Sequence, residues 1–238
     1  MTLERLRRLD AIVFDMDGVL LDSEPLHLAA LNRVIATEGH ALTEAQNLQF
    51  VGLSLADTWT TLIRELQLCH DIEHYYRCYD AEVLGVLGAG PLEPLPGVRE
   101  LIAALRGVGM RLGLATQSKQ SWVQATLSGL GLRDAFDVIV SGEMVARGKP
   151  EPDLYLLACE WLGAETARSL ALEDSVPGAR AARAAGMAVV GVRNAYHGEA
   201  LEREADLVVD RVDQLLDPAT VWPPRLLHRT ITRSGDRQ

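Results

Sequence analysis

In "AIVFDMDGVLLDSE", an apolar run ends abruptly in two carboxylates one residue apart, Asp15 and Asp17. Polar groups follow other short apolar runs in the same way. Thr116 comes after "RLGLA", Lys149 shortly after "FDVIVSG", and Glu173 with Asp174 closes "SLALED". Four acids, a hydroxyl and a lysine gathered in one place would suit phosphoryl transfer. Crowded carboxylates repel unless a cation sits among them, and Mg2+ takes oxygen ligands from carboxylates, water and a substrate phosphate. The cation and Lys149 would neutralise phosphate charge and let a carboxylate approach phosphorus. One carboxylate can attack, giving an aspartyl-phosphate. A second, held protonated, can protonate the leaving oxygen and later activate water. Thr116 can donate a hydrogen bond to a phosphate oxygen.

Each signal alone has a plainer reading. Asp-Gly is a common turn pair, so "DMDG" by itself is evenly balanced between a turn and a site. The same stretch loosely matches a calcium loop, but Gly18 comes too early for that spacing. Lys149 alone reads as a solvated loop lysine, and "LEDS" alone as a helix cap. Their joint occurrence, in order and at the ends of successive apolar runs, favours the chemical reading.

The elements that must position these residues are legible as short buried strands. They cover 11–15, 111–118, 136–142, 169–175, 187–193 and 205–210,. Helical stripes lie between them. In "GVRELIAALRGVG", Val98, Leu101, Ile102 and Leu105 fall on one face before glycines end the pattern,. This alternation predicts an α/β fold, a Rossmann-like parallel sheet core with helices on both faces. Ligands bind such sheets at the carboxyl ends of the strands, where strand order reverses. Residues 24–88 break the rhythm with three helical stretches and no strand, and "GAGPLEPLPG" leads back,. The expected division is an α/β core over 1–22 and 92–216, an inserted α-helical cap over 23–91, and a C-terminal tail over 217–238.

The chain has 238 residues, 48% hydrophobic and 24% charged, which is the profile of a soluble globular protein,. Its net charge of −10 argues against a nucleic-acid or anionic-membrane partner,. The positive residues are in excess only at the two ends, and the basic tail "PPRLLHRTITRSGDRQ" reads as frayed and solvated,. Three cysteines make no disulfide framework, which suits a reducing compartment,. The first residues lack the pattern of a secretory signal and no apolar run reaches membrane length, so the expected location is cytoplasmic. A monomer is expected.

Taken together, "DMDGVLLDSE", "LATQS", "GKPEPDLY" and "LEDSVPG" resemble the four ordered motifs of the haloacid dehalogenase-like hydrolases, across about residues 10–194. The insertion after the first motif resembles the small helical cap of the β-phosphoglucomutase-like branch. The resemblance implies a nucleophile and metal ligand in Asp15, and a general acid/base in Asp17, whose backbone carbonyl would also ligate Mg2+. It implies a phosphate-binding hydroxyl in Thr116, a charge-stabilising lysine in Lys149 and a metal ligand in Asp174. Glu173 would stand beside Asp174 in the inner or outer shell of the metal. Gln117 takes a position where asparagine is commoner, as a further phosphate contact. His27 matches a cap-hinge histidine, and Gly52 in "VGLS" a cap loop facing the site. An acid at Asp17 argues against true dehalogenation.

Between phosphatase and sugar-phosphate mutase, the sequence leans to the first. Leu55 stands where the mutases usually carry a phosphate-binding arginine, and no lysine lies between Pro25 and Gly97. The expected substrate is a small-molecule phosphate ester, a sugar or polyol phosphate. Elsewhere in the insertion, His70, His74 and Cys78 of "CHDIEHYYRC" share one face of a helical pattern, while Cys69 points elsewhere,. Three residues on a single helix climb too far to converge on one ion, and the stretch reads as an ordinary helix. Arg64 and Arg77 are candidates to touch an anionic substrate, though solvated arginines are the commoner case. Trp59 is a candidate roof or insert-core residue. Arg180 and Arg183 read as the solvent side of a packed helix.

Overall fold

The computed structural model describes residues 9–194 and 198–217. The basic tail beyond 217 and the first eight residues lie outside the described residues. The six expected strands form: β1 (Ala11–Phe14), β2 (Arg111–Ala115), β3 (Val138–Val140), β4 (Ser169–Glu173), β5 (Ala188–Val192) and β6 (Leu207–Val209). All pair in parallel, in the order β3-β2-β1-β4-β5-β6. The chain therefore builds outward from β1 on one side, then crosses to the other. The reversal lies between β1 and β4, where a crevice opens at the strand ends. The strands stop sooner than the sequence pattern suggested, because the residues after Phe14 and Ala115 turn away to present polar side chains.

The helices are α1 (Glu24–Ile35), α2 (Glu44–Asn47), α3 (Leu55–Leu66), α4 (Ile72–Leu87), α5 (Val98–Gly107), α6 (Gln120–Leu130), α7 (Asp153–Leu162), α8 (Val176–Ala184) and α9 (Gly198–Glu204). Strand side chains alternate between faces, and here they alternate in size. Ile12, Phe14, Leu112, Leu114, Leu170 and Leu172 fill one face with residues of α5 and α6. Ala11, Val13, Ala115 and Ala171 line the other with residues of α7 and α8. The small face lets α7 come close: a Cβ on Gly113 would stand 3.1 Å from Leu162 Cδ1. Full burial of each large side chain stabilises by about 1.5–3 kcal/mol. The sheet is thus a rigid platform for its carboxyl-end loops.

Among the described residues, 24–87 contribute four α-helices and no strand. Their apolar side chains form a separate cluster around Trp59, which stacks on Tyr75 at 5.1 Å between ring centroids. Trp122 of α6 joins that cluster from the sheet layer and donates from Nε1 to Asp80 Oδ1 of α4 at 2.6 Å. The chains entering and leaving the insert are tied where Leu95 N donates to Leu20 O at 2.8 Å. Among the described residues, no helix is long and apolar enough to cross a membrane.

Candidate active site

Asp15 follows β1 directly, its amide donating to Leu172 O at 2.9 Å, so β1 and β4 fix its backbone. The side chain is buried against Lys149, whose Nζ lies 2.7 Å from Asp15 Oδ1. Lys149 joins Pro150 through a cis peptide bond, and its side chain is only 4% exposed. The same ammonium donates to Glu173 Oε1, as does Tyr155 Oη from α7. The other oxygen of Glu173 accepts from the Asp174 and Ser175 amides, at 3.2 and 3.4 Å, and from Ser175 Oγ at 3.1 Å. A carboxylate offers about four lone-pair sites. Five donors leave Glu173 none to spare, so it stands behind Lys149 and positions it.

Carboxylate oxygens of Asp15, Glu173 and Asp174 lie within 4.8 Å of one another. Burial pushes the Asp15 carboxyl up to about 7, with Glu173 and Asp17 adding to the rise and Lys149 opposing it. Burial also raises Asp174 well above its ordinary value, helped by Asp15 and Glu173. Burial opposes the charge on Lys149, but Asp15 and Glu173 outweigh it and hold the ammonium above its usual value. An all-oxygen set whose members resist ionising together fits a hard divalent cation. Asp15 and Asp174 are the side chains placed to hold one.

Asp17 stands apart from that cluster. Its Oδ2 accepts from Ser118 Oγ at 2.8 Å. Gly18 makes this possible with φ +74°, and a Cβ there would collide with the Asp174 carboxylate. The β1 loop and the β4 end therefore touch with no room for a side chain. Asn194, after β5, donates to Asp174 Oδ2 at 2.7 Å. Directly after β2, buried Thr116 is anchored by its amide to Val140 O at 3.0 Å, and its Oγ1 accepts from the Ser118 amide at 3.1 Å.

Lys149 opens onto a cavity of about 530 Å³ between sheet rim and insert, lined also by Gln117, Ser118, His27, Gly52 and Leu53. The three expected outer contacts, Gln117, His27 and Gly52, line this same cavity. A second cavity, about 200 Å³, continues under the insert between His27, Asn47, Phe50, Trp59, Tyr79 and Glu24. Among the described residues, no lysine or arginine lines it. His27 Nδ1 is 2.8 Å from Tyr79 Oη. Arg64 and Arg77 are exposed and line neither cavity. Sequence reasoning did not assign Tyr155, Ser118, Asn194 or Tyr79. Ser118 was visible as a polar residue after a strand and Tyr155 as the last residue of "GKPEPDLY", without a role; no pattern marked Asn194 or Tyr79.

A family model described as "Haloacid dehalogenase-like hydrolase" matches residues 12–192. The chain is 32% identical over 211 residues to a phosphorylated carbohydrates phosphatase of Thermotoga maritima, spanning 88% of this chain and 97% of that one. It is 32% identical over 188 residues to the fructose-1-phosphate phosphatase YqaB of Escherichia coli, spanning 78% and 97%. The solved structure of CbbY from Rhodobacter sphaeroides, in complex with xylulose-(1,5)bisphosphate, superposes with a TM-score of 0.76 at 29% identity, over 87% of this chain and 96% of that one.

Proposed function

The chain belongs to the haloacid dehalogenase-like hydrolases, and from that premise we propose that it is a Mg2+-dependent phosphatase of a small phosphorylated metabolite, a sugar or polyol phosphate. A phosphatase acting on phosphate esters is what the family and the named relatives support; metal, substrate class and mechanism are our reading. One observation carries it. A buried carboxylate at the strand-order reversal is held by a buried lysine, 2.7 Å away, amid further carboxylates.

Asp15 attacks phosphorus in line, forming the acyl-phosphate bond as the ester P–O bond breaks. Asp17 gives its proton to the leaving alkoxide, and Ser118 holds it in place to do so. Water then enters, Asp17 takes its proton, and the hydroxide releases phosphate and restores Asp15. Lys149 and the Thr116 hydroxyl bind the phosphoryl oxygens. Asp15, Asp174 and the Asp17 backbone carbonyl would hold Mg2+, which supplies positive charge opposite those oxygens. The insert, taken as a cap over 23–91, closes the site from bulk water and shapes the substrate pocket.

A sugar-phosphate mutase must also hold a second, distal phosphate. The cavity under the insert offers no cation for it among the described residues, and Lys119, on the wall of the larger cavity, is bound to Asp80 at 3.0 Å. Phosphatase action is therefore preferred, on substrates whose far end carries hydroxyls. The test is release of inorganic phosphate from an aryl phosphate and a panel of sugar and polyol phosphates, with and without Mg2+. Asp15→Asn should lower turnover roughly 10^3-fold or more. Full activity in that variant would sink the mechanism, and isomer formation from a hexose 1-phosphate without free phosphate would favour the mutase.

A further inference from the structure

The histidines and cysteines of the insert converge differently from what their spacing suggested. His70 is not on α4. Asp71 caps that helix, its Oδ1 accepting from the His74 amide at 2.8 Å, so Cys69 and His70 lie in the turn between α3 and α4. This turn runs against the 3-10 turn Ala36–Glu38 that ends α1. The Glu38 carboxylate, Cys69 thiol and His70 imidazole each offer one ligand atom, and the three atoms lie within 4.8 Å of one another. The third ligand comes from a separate element, which removes the objection that a single helix cannot gather three.

The arrangement is held in advance. Glu38 Oε2 accepts from the Cys69 amide at 2.9 Å, and Oε1 accepts from Tyr75 Oη at 2.5 Å. Tyr75 Oη accepts in turn from the His70 amide at 3.0 Å, and Tyr75 is buried. The His74 ring stacks on that of His70 at 4.1 Å between centroids and fixes its plane. Such supporting contacts orient metal ligands and govern their affinity. Cys69 and His70 are exposed, so an ion can reach them.

Thiolate, imidazole and carboxylate together suit a borderline cation such as Zn2+, whereas the sheet-rim cluster is all oxygen. Three protein ligands leave a fourth tetrahedral position for water. We propose that Glu38, Cys69 and His70 form a Zn2+ site that clamps the end of α1 to the α3–α4 turn. On binding, Cys69 gives its thiol proton to solvent and coordinates as thiolate, while His70 coordinates through a neutral ring nitrogen. No oxidation state changes. None of the three lines either cavity described above, so the site is separate from phosphate chemistry.

Co2+ is the probe, because a thiolate ligand gives a near-ultraviolet charge-transfer band that an all-carboxylate cluster cannot. Titration of the full chain, stripped of other metals and held in excess Mg2+ to occupy the rim, should raise this band to saturation at one ion per chain, and Zn2+ should abolish it. The band should persist in Cys78→Ser and vanish in Cys69→Ser, with the latter shown folded by circular dichroism. His70→Ala and Glu38→Gln should weaken binding, and Tyr75→Phe should weaken it about 10-fold. With excess Mg2+ occupying the rim, Zn2+ should raise the melting temperature of the wild type but not of Cys69→Ser. No band in the wild type, or a band that survives Cys69→Ser, would overturn the proposal. Neither outcome bears on phosphatase activity, so the two readings fail separately.

Discussion

The sheet rim and the cavity under the insert stand side by side yet are built in opposite ways. At the rim, each acid has a named partner: Asp15 with Lys149, Glu173 with five donors, Asp17 with Ser118, Asp174 with Asn194. Most of these partners are fixed to a strand end or to the start of a core helix. Under the insert, aromatic and aliphatic side chains alternate with Glu24, His27, Asn47 and Thr58, no lysine or arginine lines the cavity among the described residues, and the nearby Lys119 is already paired with Asp80. Rigid, polar geometry at the rim favours a charged transition state. On the proposed function, a pocket of mixed aromatic and uncharged polar walls on helices would select by shape and by hydrogen bonds to hydroxyls. On the proposed function, the molecule would separate the reaction from the choice of substrate, and that separation can be tested.

The largest effect should come from the rim. Lys149→Met removes the ammonium that stands among the carboxylates and should lower kcat about 10^2–10^3-fold on any phosphate ester, including an aryl phosphate with no use for the insert. A loss seen only with sugar phosphates would blur the division, since it would place Lys149 in substrate choice.

A second effect concerns pH and the metal-free protein. The Asp15 carboxyl rises from about 3.8 in the unfolded chain to about 7 in the folded one, and Asp174 rises too. Between these values the folded state keeps protons that the unfolded chain has lost. This stabilisation is complete below the unfolded value and is lost as pH climbs through the folded one. Urea midpoints in chelator should therefore be higher at pH 5 than at pH 8. Asp137 and Asp213 shift downward and act only at more acid pH, so they do not confuse this window. Asp174→Asn should flatten the difference, and Mg2+ should reverse it by favouring the ionised carboxylates. A flat profile in wild-type protein would show that the rim charges are not strained without a cation.

The smallest effect belongs to the insert. Leu53 is 48% exposed at the mouth of the larger cavity. Leu53→Ala should cost about 1 kcal/mol of substrate contact, or about fivefold in kcat/KM for the preferred sugar phosphate. The aryl phosphate should be unaffected. An equal loss on both would tie the insert to the reaction itself.

The same contrast explains what the sequence made legible. The central strands β1 and β4 are buried on both faces, which leaves little else for "AIVF" or "LALE" to be. Acids that end such runs must emerge at a sheet edge, so the residue pattern alone was enough to group Asp15, Asp174 and Lys149. Tyr155 escaped it, because its reach to Glu173 depends on how α7 is rotated against a face of small residues. Asn194 reaches Asp174 from the end of the neighbouring strand β5, a contact that only the pairing of β4 with β5 creates. The expected helical face of His70, His74 and Cys78 failed at one boundary, where Asp71 caps the helix one residue after His70. Glu38 was invisible for the same reason as Tyr155: α1 and the α3–α4 turn meet only through tertiary packing.

The central place of β1 also has a consequence for the making of the protein. A ribosome delivers Ala11–Phe14 ahead of the other five strands, as four apolar residues with every side chain destined for the interior. One neighbour, β2, follows only after the whole insert has been translated, and the other, β4, later still. For much of synthesis this segment therefore waits with its edges unpaired, the condition that exposes a nascent chain to misassociation. The crowd of carboxylates beside it is completed late, when Glu173 and Asp174 emerge and β4 docks. The mutual repulsion at the rim is thus postponed until much of the apolar framework able to bear it is already in place.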